Sequence, residues 1–81
     1  MLWKGGAYVE YRLRFNEIRD IMEFVELVND VEKACELVSG RYRVNAKSLM
    51  GVLAIPEAYS MILETEATEE ELPAGIQKYL W

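Results

Sequence analysis

The chain predicts one small α+β domain, a four-stranded antiparallel sheet with helices on one face, in the order β-α-β-β-α-β-α. Three observations carry this. Apolar spacing switches from period two to helical spacing at residue 16; Ser39-Gly40 splits the next apolar stretch into a hairpin; and a second, short helical stretch is stopped by Pro56. Strands gathered into one sheet with helices collected on one side form an open-faced sandwich.

Gly5-Gly6 separates a short tail, residues 1–6, from a folded domain over 7–81. From Ala7 the pattern alternates. Ala7, Val9, Tyr11, Leu13 and Phe15 share one face, and Tyr8, Glu10, Arg12 and Arg14 the other, as in a half-buried strand. Asn16 is a good N-cap for the helix that follows, and Glu17 and Asp20 suit the positive end of its dipole. Ile18, Ile21, Met22, Val25 and Val28 form its apolar stripe, widened by Phe24 and Leu27, and it fades near Asn29-Asp30. Residues 35–38 and 42–46 form the hairpin, with Tyr42 and Val44 on one face and Arg41, Arg43 and Asn45 on the other. Ser48 caps a helix over 48–54, and a fourth strand covers 59–64. Thr68 and Glu71 have capping-box spacing and open a last helix towards Leu80; Pro73 either kinks it or starts a shorter one. The predicted core contains Leu13, Ile21, Val25, Val28, Leu37 and Val44.

Composition narrows the function. A domain of 81 residues buries only about 60–65 % of its unfolded surface, so its stability is modest and no deep catalytic cavity is expected. A hydrophobic fraction of 52 % is too high for a disordered chain. The net charge is −5, with Glu64, Glu66, Glu69, Glu70 and Glu71 clustered and only Arg41, Arg43 and Lys47 as a basic concentration. An acidic domain repels phosphate backbones, so no nucleic-acid partner is expected. There is no run of 18 apolar residues to span a membrane and no signal-peptide core near residue 1, which makes the cytoplasm the expected location. The single cysteine, Cys35, cannot form an internal disulfide; it suits a reducing compartment and reads as a small core residue.

Histidine is absent, so no reaction of this chain uses an imidazole. One cysteine and no histidine leave only carboxylates as metal ligands, and no Gly-rich phosphate loop is present; neither a metal nor a cofactor is expected. The Glu69-Glu70-Glu71 run reads as a solvated helix start.

The segment Val44-Asn45-Ala46-Lys47-Ser48-Leu49-Met50-Gly51-Val52 resembles the signature of the HPr family, the small phosphocarriers of the bacterial sugar phosphotransferase system. Their second helix opens with a Lys-Ser-aliphatic-Met-Gly run after a strand ending in Val-Asn. The element order agrees over residues 7–80, and outside the segment the resemblance is topological. It implies the HPr-like open-faced β-sandwich. Family members accept phosphate from enzyme I on a histidine at the start of the first helix, in a Gly-Ile-His-Ala-Arg-Pro context. The matching stretch is Phe15-Asn16-Glu17-Ile18-Arg19-Asp20, which sets Glu17 at the histidine and Arg19 at the arginine, a degenerate phosphocarrier site. On the residues alone, Glu17 simply suits a helix N-terminus and Arg19 a solvated surface.

In members from low-GC Gram-positive bacteria, the serine matching Ser48 is a regulatory phosphorylation site. Crh-type members lack the histidine, keep the serine, and when phosphorylated act as corepressors in catabolite control. On the residues alone, Ser48 is also an ordinary N-cap. The resemblance further implies an exposed docking patch at Leu49, Met50 and Leu53, beside Lys47. Five apolar residues on so short a helix, Leu49, Met50, Val52, Leu53 and Ile55, divide between core and surface.

The expected function is that of an HPr-like regulatory or protein-binding domain and not an enzyme, controlled through Ser48, with an HPr kinase or a transcriptional regulator as partner, monomeric or weakly dimeric. The alternative is a non-enzymatic interaction or assembly module that uses the fold as a scaffold. Incubation with enzyme I and phosphoenolpyruvate is expected to leave the chain unlabelled, and acid-labile label on it would overturn the loss of the carrier reaction.

Overall fold

The computed structural model describes residues 8–56 and 59–81. The elements are β1 (Val9–Arg14), α1 (Ile18–Val28), β2 (Cys35–Ser39), β3 (Tyr42–Asn45), α2 (Leu49–Leu53), β4 (Ser60–Thr65) and a 3-10 helix (Ala74–Tyr79). All strand pairs are antiparallel, in the order β1-β4-β2-β3. It follows that β1 and β2 run parallel with β4 between them, and β3 and β4 run parallel with β2 between them. A helix joins each parallel pair. The two crossovers travel in opposite directions along oppositely directed strands, so a right-handed path puts both helices on the same side of the sheet.

That side is the core. Leu13, Leu37, Met61 and Leu63 of the sheet meet Ile21, Phe24, Val25 and Val28 of α1, with Val52, Ile55, Ile76 and Tyr79 closing the ends. Phe15, Phe24 and Tyr79 form an aromatic cluster with centroids 5.3–6.2 Å apart. The Tyr79 hydroxyl donates to Glu23 on α1, and Lys78 Nζ lies 3.0 Å from the same carboxylate oxygen. Burial, reinforced by that carboxylate, pushes the Tyr79 pKa up, and the tyrosine and lysine together hold Glu23 below the usual carboxylate range. Gly75 lets the 3-10 helix come close to α1: a Cβ there would lie 3.1 Å from Leu27 Cδ1.

Several elements differ from the sequence expectation. The N-cap of α1 is Glu17 and not Asn16; it makes no side-chain cap bond, and Asp20 Oδ2 instead accepts the Asn16 N–H at 2.9 Å. The buried stripe is Ile21, Phe24, Val25 and Val28, while Ile18 and Met22 are exposed, because a helix lying on a sheet buries one stripe and these two fall on its flank. The hairpin turns through Gly40-Arg41, and Gly40 takes the positive φ of 59° that a two-residue turn needs. Val44 is only partly buried, since β3 is the sheet edge and α2 above it spans five residues. Strand β4 is shifted one residue later than expected.

The C-terminal region differs most. The capping-box pair forms, with the Thr68 N–H donating to Glu71 Oε1 at 2.8 Å, but residues 68–72 make only a hydrogen-bonded turn and not the expected helix. Pro73 is extended (φ −63°, ψ 140°), and the 3-10 helix starts after it, closer to the shorter-helix alternative than to a kink. Beyond it, Leu80 bridges to Leu13, and the Trp81 N–H donates to the Arg12 carbonyl at 3.1 Å, along the free edge of β1. The expected 1–6 tail and Ala7 lie outside the described residues.

Thr65 is a fully buried polar residue on the core face. Its hydroxyl donates to the Ala34 carbonyl at 2.8 Å and accepts the Ala67 N–H at 3.0 Å. Thr65→Val keeps the shape and strands both partners, so an expected cost of about 1–3 kcal/mol should appear in urea denaturation. An unmoved midpoint would show that neither bond matters.

Candidate functional site

Helix α2 is built by its own short sequence. The Asn45 side chain accepts the Lys47 N–H at 2.9 Å and its carbonyl accepts the Ser48 N–H at 3.0 Å, turning the chain out of β3. Ser48 then takes extended backbone, and its Oγ accepts the Gly51 N–H at 3.2 Å. Glycine matters at 51: a Cβ there would lie 3.2 Å from that Oγ and 3.7 Å from Val44 Cβ, crowding both the cap and the strand.

The five apolar residues after the cap divide sharply. Val52 and Ile55 are in the core, and Leu49 is partly buried against it. Met50 is 84 % exposed and Leu53 43 % exposed. Between α1 and α2 lies a shallow depression of about 500 Å³, lined by Arg19, Met22, Glu26, Asn29, Lys47 and Leu49 among others. The fold therefore brings Arg19, Lys47 and Leu49 to one place, with exposed Ser48 and Met50 adjoining them in the chain. Glu17 caps α1 and is not part of that lining.

Lys47 does not stand free beside Ser48. Its ammonium donates to the Val31 carbonyl, across the loop between α1 and β2. Asn29 ties the same two regions, its amide donating to the carbonyls of Val25 at 2.7 Å and Lys47 at 3.2 Å. These bonds fix the spacing of the helices at one end of the depression. Asn29 was not legible as a bracket, because its partner lies 18 residues away. Met22 and Ile18 were missed as surface residues; the available signal was the excess of apolar residues on α1, more than one stripe can hold.

Cys35 lies in the core with its Sγ 3.4 Å from Thr65 Oγ1. Burial pushes the thiol pKa up, only partly offset by Thr65 and Lys47, which suits a packing residue and not a nucleophile. Among the described residues no group of three His, Cys, Asp or Glu side chains could hold a metal ion, and no helix is long and apolar enough to cross a membrane. No protein-family model, curated protein or solved structure matches the chain.

The contrast between Met50 and Val52 has a direct test. Met50→Asp is expected to leave thermal stability within about 0.5 kcal/mol of the parent. Val52→Ala is expected to cost about 2 kcal/mol. Equal losses would mean that Met50 is covered in solution.

Proposed function

We propose that this chain is an HPr-like domain without the phosphoacceptor histidine, which binds a protein partner through the exposed face of α1 and α2 and is regulated by phosphorylation of Ser48. One observation carries the reading: at the head of α2 an exposed serine is followed, two residues later, by a methionine whose side chain is almost wholly in solvent. Single exposed apolar residues are ordinary. Here Ile18 and Met22 on one helix, and Met50 and Leu53 on the other, stand on the two helices that flank one depression, and methionine suits an adaptable interface.

The sheet order β1-β4-β2-β3 with both helices on one side supports the HPr-like open-faced sandwich. A phosphate on Ser48 retains an acceptor for the Gly51 N–H and adds about two negative charges beside the apolar patch. Lys47, held by Val31, leaves that charge for a partner to neutralise. The complementary surface is a hydrophobic groove flanked by arginines, of the kind a transcriptional regulator would offer.

The cap bond from Gly51 to Ser48 favours a second reading, a non-enzymatic assembly module in which the serine is only a cap and the apolar patch is the site. One experiment separates the two. The protein is incubated with ATP and an HPr kinase and mapped by mass spectrometry. Label confined to Ser48, and lost in Ser48→Ala, is the expected outcome. Absence of label, with partner binding that survives Ser48→Ala and fails in Met50→Asp, would replace the regulatory reading with the assembly one.

A further inference from the structure

The geometry points to a second site, on the face of the sheet opposite the two helices, for a small phosphomonoester bearing a planar ring, the class of nucleoside monophosphates, held by Arg12, Arg14 and Trp81. The strand registers arrange that face in rows. Glu10, Glu64, Glu36 and Asn45 stand abreast across the four strands. The next row is Arg12, Ile62, Val38 and Arg43, and beyond it Arg14 stands opposite Ser60.

Directly opposed like charges repel, and among the described residues one arginine pairs with two of the three carboxylates. Arg43 reaches diagonally to Glu64 at 2.6 Å and Glu36 at 2.8 Å. Arg12 stands on the diagonal to the same Glu64, yet neither it nor Arg14 forms an ion pair among the described residues. Both guanidiniums sit instead over the Trp81 ring, at 5.8 Å and 4.3 Å from its centroid. The Trp81 backbone is pinned there by its N–H bond to Arg12 and by the Leu13–Leu80 bridge. Among the described residues, a chain of net charge −5 thus leaves two neighbouring cations on one face outside ion pairs, against Trp81, a residue that is 59 % exposed.

A depression of about 350 Å³ is lined by Arg12, Trp81, Val38, Ile62, Ser60 and Gly40 among others; Arg14 is not part of that lining and joins it through the Trp81 ring it shares with Arg12. That volume falls within the range of small-molecule sites. Paired guanidinium forks match phosphate oxygens, the indole and guanidinium planes offer stacking surfaces for a ring, and Val38 and Ile62 give an apolar floor. The acidic row lies one side-chain repeat away, about 7 Å along the strands. It repels a second phosphate, so the site takes a monoanionic or dianionic monomer and rejects a polynucleotide.

The chain has two tryptophans, so Trp3→Phe leaves Trp81 as the sole indole. Adenosine monophosphate titrated onto that variant is expected to give a saturable fluorescence change, with Arg14→Gln or Arg12→Gln weakening binding about tenfold or more, the effect of losing a charge-assisted hydrogen bond. Inorganic phosphate and adenosine are each expected to bind more weakly than the nucleotide. Trp81→Leu, read by calorimetry, is expected to weaken the nucleotide and leave phosphate unchanged. No saturable change through the millimolar range would overturn the proposal, as would undiminished affinity in both arginine variants at an unchanged melting temperature. Tighter binding of a single-stranded oligonucleotide would replace it with a nucleic-acid surface.

Discussion

The insertion of β4 between β1 and β2 is the constraint on which the rest of the molecule depends. Before it arrives, β1 has no partner in the sheet and the β2–β3 hairpin stands alone. A two-stranded hairpin is at best marginally stable in water, so the last strand in the chain completes the sheet that the earlier elements need. Met61, Leu63 and Thr65 then occupy the middle of the core face, beneath both helices. Thr65 secures the join, since its hydroxyl reaches the Ala34 carbonyl just before β2 and the Ala67 N–H where the chain leaves β4. One buried side chain therefore links the start of one strand to the exit of its neighbour.

The same insertion sets the electrostatics of the face opposite the helices. A central strand is flanked on both sides, so Glu64 is shielded by its neighbours, with Glu10 and Glu36 directly opposite. Its charge is tolerable because Arg43, on the edge strand, reaches back across β2 to it; the hydrogen bonds to Glu64 and then Glu36 hold the arginine proton more firmly than usual. Arg43 being committed there, Arg12 and Arg14 are the cations left at the opposite edge, where Trp81 lies against them.

Much of this was legible where the governing contact is local. The alternation up to Phe15, the change of period at Asn16, the Ser39-Gly40 turn signal and the Ser48 cap all reflect neighbours within four residues; strand, helix, hairpin and short helix follow in that order, with the α1 cap and the hairpin turn each one residue later than indicated. The illegible parts depend on distant partners. Nothing local tells β1 to pair with residues 60–65, or Trp81 to lie along β1. Lys47 reads as a surface cation until the Val31 carbonyl comes within its reach. Pro73 shows the limit from the other side: its missing donor forbids a continuous helix, but the tight 3-10 turn that follows, with Gly75 close against Leu27, has no local signal.

The candidate site was legible in its residues and not in its charge balance. Both helices on the covered face present the positive end of their dipole at their starts, and the two starts differ. At α1, Glu17 is the cap and Asp20 lies in the first turn, its carboxylate already accepting the Asn16 N–H. A phosphate there would meet two carboxylates and no imidazole to carry it. At α2, the cap is a neutral hydroxyl, the first turn has no acidic residue, and the Gly51 N–H points at the serine oxygen. Added negative charge is opposed at the first helix and accommodated at the second. This asymmetry lies in Glu17, Asp20 and Ser48 themselves, and it is what supports the proposal that phosphate acts at Ser48.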